Sequence, residues 1–202
     1  MNLWYLASLI MLVLIISHNI KKQSRKKAQQ EESFWAKEAR ANSVRRKSLD
    51  GLEYVKVPVE NFPLTLLASD STVAECIEII QTLSTQCIVN LTGYTNTDLK
   101  LEYGVANLTK LMEYDQNYTL LVRTLQKWAD ALMEAGHMEE ATVLMEYAVS
   151  TNTDVSRTYY CLADYWLSQG ENHQVERLIQ IAENLRSPSK NIIVKNLREK
   201  LQ

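Results

Sequence analysis

From residue 70 onward apolar positions recur at three- and four-residue intervals, and strand-like alternation is scarce. That pattern predicts helices joined by short connections. Asp70, Ser71 or Thr72 can cap a helix to about Leu91, Gly93 to Asn96 makes a turn, and Thr97 or Asp98 caps a second helix to about Tyr114. Four more follow, over 118–135, 138–150, 154–169 and 171–185. Ser187 and Pro188 open a last one, in which Ile193, Leu197 and Leu201 stand four apart on one face. The expected fold is all-α, about seven helices in antiparallel neighbours, and the five glycines and three prolines are too few to break them further.

Ahead of this body lies a different pattern. Leu3 to Ile16 is apolar almost throughout, and no charge occurs until Lys21. As a helix, the stretch to Ile20 spans about 27 Å, enough for a thin hydrocarbon core, with Trp4 and Tyr5 at an interfacial position. A cleaved signal peptide would carry its positive charge before the apolar run, and here Lys21, Lys22, Arg25, Lys26 and Lys27 come after it. The expectation is an uncleaved transmembrane anchor over 1–20, N-terminus outside and body cytoplasmic. A basic juxtamembrane helical segment over 21–51 follows, ending near Gly51. Pro58 and Pro63 then force an extended strap over 52–69, which Tyr54, Phe62 and Leu64 would dock on a helical domain at 70–202.

Charge sharpens this division. The net charge of -2 conceals +7 over residues 21–47 and -9 over 48–202. A basic neck suits an anionic surface, while an acidic body excludes nucleic acid as its partner. Arg45, Arg46 and Lys47 form a second basic cluster that either touches lipid or lies on a solvated helix face. Cys76 and Cys87, eleven apart on one expected helix, are too distant to pair, so three reduced, mostly buried thiols are expected, Cys161 the third. Asn90, Asn107 and Asn117 each begin an Asn-x-Thr sequon, a signal short enough to arise by chance.

One frame returns after 34 residues. Trp128 to Ala148 and Leu162 to Ala182 pair Ala129 with Ala163, Gly136 with Gly170 and Ala148 with Ala182, and large residues pair as well: Leu125 with Tyr159, Leu132 with Trp166, Leu144 with Leu178. Small residues recur where helices cross closely, and glycine where the chain turns. In this the chain resembles the tetratricopeptide repeat family, over about Val122 to Pro188. The resemblance implies two helix-turn-helix units, with Ser71 to Tyr114 a degenerate pair and the helix from Pro188 a C-terminal cap. Val175 stands where that family usually has alanine, and Thr153 where it often has proline. The overall plan of anchor, charged segment and small helical body also looks like single-pass proteins of Clostridia-type bacteria, which implies a bacterial plasma membrane.

Catalysis finds no support in the sequence. His18, His137 and His173 have no second ligand at metal spacing, no phosphate loop or nucleophile motif occurs, and no cofactor or small-molecule substrate is implied. A stack of helical pairs instead exposes a concave surface lined by the first helix of each pair. The outward candidates for binding a protein or peptide partner are Arg123, Gln126, Lys127 and Asp130, then Arg157, Tyr160 and Asp164 one unit later. The alternative is ordinary solvated charge carried along by repeat descent. The expected role is a membrane-tethered adaptor, with a structural subunit of a membrane complex or an organelle import-type receptor as alternatives.

Overall fold

The computed structural model describes residues 3–202, the side chains at 3, 5–10, 13–15, 25 and 28 excepted. The protein is all-helical: α1 Leu3–Asn42, α2 Ser71–Leu83, α3 Asn96–Tyr103, α4 Leu108–Glu134, α5 Met138–Ser150, α6 Ser156–Ser168, α7 Asn172–Glu183 and α8 Lys190–Lys200. Among the described residues there is no strand, only an isolated antiparallel bridge between Tyr54 and Val89. Two compact units emerge, residues 1–47 with 96–107, and residues 48–95 with 108–202.

In the first unit α1 is one continuous helix of 40 residues, about 60 Å long. Near its C-terminal end the Glu38 carboxylate accepts from Thr97 Oγ1 at 2.7 Å and from Lys100 Nζ, while Lys37 pairs with Asp98 at 2.8 Å. These contacts seat α3 against α1. The helix stops at Asn42 and not near Gly51, because the following backbone has other partners: Lys47 N–H donates to Tyr103 O, and the buried Asn107 amide donates to Lys47 O and Tyr103 O. Among the described residues no helix is long and apolar enough to cross a membrane. Most of the expected anchor, at 5–10 and 13–15, has side chains outside the described residues.

In the second unit the Asp70 carboxylate caps α2, accepting from Thr72 N at 2.8 Å and Val73 N at 3.0 Å. This helix ends at Leu83, short of the expected Leu91. Ser84 and Thr85 turn their hydroxyls onto the Gln81 and Thr82 carbonyls, and Ile88 and Val89 lie extended beside the strap, with Val55 N–H donating to Ile88 O. Cys87 is therefore off the helix and exposed, whereas Cys76 is buried and Cys161 half-buried, all three free. The break expected between Tyr114 and Tyr118 is absent. Its polar residues serve the neighbouring loop: Asp115 accepts from Leu91 N–H at 3.1 Å, and Asn117 Nδ2 donates to Cys87 O at 3.0 Å. Freed from capping, they let α4 run on.

The 34-residue frame is visible in the turns. Gly136 and Gly170 have φ of +87° and +77°, a left-handed conformation that side chains resist. Around them the same backbone bonds recur 34 residues apart: Gly136 N to Met133 O and His137 N to Leu132 O, then Gly170 N to Leu167 O and Glu171 N to Trp166 O. Both are Schellman closures, which satisfy the last carbonyls of α4 and α6. Burial follows the same frame, with Ala129 and Ala163, Leu125 and Tyr159, Trp128 and Leu162, Leu144 and Leu178 all enclosed. It departs at Trp166, which is half-buried where Leu132 is enclosed, and whose Nε1 donates to Glu146. Phe62 of the strap enters this core edge-on to Trp128 and Tyr147, and the Tyr147 hydroxyl donates to Lys56 O, fastening the strap to α5. Tyr54, expected to dock similarly, stays exposed beside Tyr114.

Candidate binding groove

An open groove of about 720 Å³ runs along α4, lined by Leu67, Asp70, Arg123, Lys127, Asp130, Glu134 and Val155 among others. Its floor is set by helical periodicity. Arg123, Lys127, Asp130 and Glu134 are spaced by four, three and four residues, so they form one stripe on α4, two cations followed by two anions.

The inner two charges are engaged within the unit. Lys127 pairs with Glu75 of α2 at 2.5 Å, which holds its ammonium more firmly protonated than usual. Asp130 accepts from Arg157 Nε of α6 at 2.8 and 3.0 Å and from Gln126 Nε2 at 2.8 Å. The same carboxylate raises the Arg157 pKa, through their hydrogen bond first. Gln126, expected to face outward, is buried, because its Oε1 accepts the enclosed Thr158 hydroxyl at 2.6 Å. This polar set links α4 to α6.

The next unit repeats the device. Asp164 of α6 pairs with Lys200 of α8, and the Tyr160 hydroxyl accepts from Asn196 Nδ2 of α8 at 2.8 Å. Glu75 to Lys127, Asp130 to Arg157 and Asp164 to Lys200 thus lace α2, α4, α6 and α8 in order. Of the seven residues singled out for partner binding, Gln126, Lys127, Asp130, Arg157, Tyr160 and Asp164 are spent on these links. Only Arg123 has no hydrogen bond or ion pair among the described residues, and it is exposed. Arg123 and Arg157 are equivalent in the frame but not in role, since α4 supplies a carboxylate opposite Arg157.

Glu134 was missed by the sequence reading. It too is exposed and makes no hydrogen bond or close ion pair among the described residues, although its charge adds weakly to the field on Arg157, and it lies eleven residues from Arg123, about 16 Å along the helix. Continuing the stripe from Arg123 by helical spacing would have found it. Leu67, Ala131, Ala135 and Val155 give the groove apolar surface. Leu67 holds a φ of +53°, a costly conformation for a branched side chain that the 63–70 turn imposes at the groove's edge. The Cys161 thiol, between Arg157 and Asp164 on α6, is pushed up by burial and stays protonated. The arrangement offers recognition by charge and shape, and among the described residues no cluster of His, Cys, Asp and Glu has the geometry to hold a metal. No family model matches the chain, and no curated protein or solved structure matches it either.

Proposed function

We propose that this protein is a membrane-tethered helical-repeat adaptor, of the tetratricopeptide kind, whose α4 groove takes an extended segment of a protein partner. The observation that carries the reading is the division of the stripe: its inner charges are satisfied internally, and its outer ones, Arg123 and Glu134, are left for something else. A segment with an acidic residue, a short apolar stretch and a basic residue about 16 Å on would complement both ends. Tethering is supported by Trp4, Met11, Leu12, Ile16 and Ile20, large apolar side chains on α1 that lie open to solvent.

A body facing the cytoplasm is supported by the sequons. Asn90 Nδ2 donates to Thr151 O and Asn152 O, Asn107 Nδ2 to Lys47 O and Tyr103 O, and Asn117 Nδ2 to Cys87 O. At Asn90 and Asn107 both amide hydrogens are engaged, so a glycan, which replaces one of them, would remove a structural bond, while Asn117 engages one.

The test places a photo-crosslinking residue in the full chain at Ala135, in the groove, or at Gln180, exposed on α7. A discrete adduct from position 135 alone, reduced at least fivefold by Arg123→Glu, is the expected result. Identical adducts from both positions, or indifference to Arg123→Glu in a folded variant, would remove the groove as the binding site.

A further inference from the structure

A second charged surface lies on α1, far along the chain from the groove. His18, Lys21, Lys22, Lys26 and Gln29 line a concavity of about 400 Å³ on this helix. All five are exposed, and none of them has a hydrogen bond or ion pair among the described residues. No acidic residue precedes Glu31 in the whole chain. Lys22 and Lys26 stand one turn apart and repel each other, so the stripe is left with an uncompensated charge that an anion would relieve. The other basic cluster differs. Arg46 Nε donates to Asn107 Oδ1 and Lys47 Nζ to Leu101 O, so it is drawn into the fold of its unit.

We infer that the His18 to Gln29 stripe is a seat for the anionic headgroups of phospholipids. The inference rests on the tether reading and adds to it a preference for lipid charge. Two features select a bilayer surface over free phosphate. The stripe begins where the apolar stretch ends, and Lys22 and Lys26 lie about 3 and 9 Å beyond Ile20 along the axis, against a headgroup layer of about 5 to 7 Å on each side. Side chains on a helix also lean toward its N-terminus. Here that direction is back toward the apolar stretch, which brings the Lys26 ammonium down to the level of the headgroups.

The full chain would be reconstituted in phosphatidylcholine vesicles carrying a trace of spin-labelled phosphatidylglycerol or spin-labelled phosphatidylcholine. The motionally restricted fraction gives the relative association of the two lipids. The wild type should favour phosphatidylglycerol at least fivefold, the gain expected of roughly one lysine near the surface, and K21Q/K22Q/K26Q should bring the ratio close to one. Raising the salt should weaken the wild-type preference. Equal association of both lipids with the wild type, or an unchanged preference in the triple variant, would overturn the proposal. So would loss of the preference to inorganic phosphate beyond that caused by chloride at the same ionic strength, since free phosphate would then be the ligand. An alkaline wash, applied after the lipid measurement, examines the tether separately: protein released by the wash refutes the anchor alone.

Discussion

At Asp115 a half-buried carboxylate of the second unit has its pKa raised above the usual aspartate range by partial burial, although Leu91 N–H favours the charged form and Asp154 opposes it. The folded protein therefore binds this proton more tightly than the unfolded chain. Stability from this group is present at low pH and is lost as the pH rises from the ordinary value through the raised one. Asp115→Asn keeps an acceptor for Leu91 N–H and removes the half-buried charge. The melting temperature of the variant should match or exceed that of the wild type at pH 7, and the difference should shrink on acidification toward pH 4. A difference that does not change with pH would show that the charge is not what matters at this position. The residue scale also shows how one side chain changes an element. Asp115 and Asn117 suggest a turn in the sequence, yet both are turned to the 87–91 loop, and α4 passes through them unbroken.

Among the helices, close crossing is the device that recurs. Ala129 and Ala163 are both fully enclosed, at matching places in α4 and α6. Leucine at either one would force three further carbons into a packed crossing, at a cost of about 1 to 3 kcal/mol. Ser168→Ala, on the exposed end of α6, should be near neutral, because it removes only exposed local bonds, one to Tyr165 O and one from Gln169 Nε2. Chemical denaturation of the three variants checks this, and tolerance of leucine at both alanines would make the shared frame an accident of sequence. The glycine turns at 136 and 170 were legible because the left-handed conformation restricts the residue types that adopt it. The end of α2 was not. Residues 84 to 91 carry a helical pattern of apolar positions, but Ile88 and Val89 satisfy their backbone through the strap and α4, partners distant in sequence.

On the scale of the whole molecule, the proposed topology has a direct check. In sealed vesicles of native orientation, protease added outside should spare residues 28–202, and no glycan should appear at Asn90, Asn107 or Asn117. Digestion of the body from outside would reverse the orientation. Helical content, the two turns and the small-residue frame were determined by the sequence alone, since each depends on local conformational preference and on periodicity within one helix. The stripe from Arg123 to Glu134 is equally written in the spacing. What the tertiary structure decided was which of those charges are free. Arg123 and Arg157 are indistinguishable in the frame, and the difference lies in Asp130, 27 residues before Arg157, which α4 presents to it across the space between helices. The same holds for α3, which sequence order puts among the body helices and which Glu38, Thr97 and Lys100 assign to the end of α1. Pairing across space depends on the backbone path between the partners, and no local pattern encodes that path.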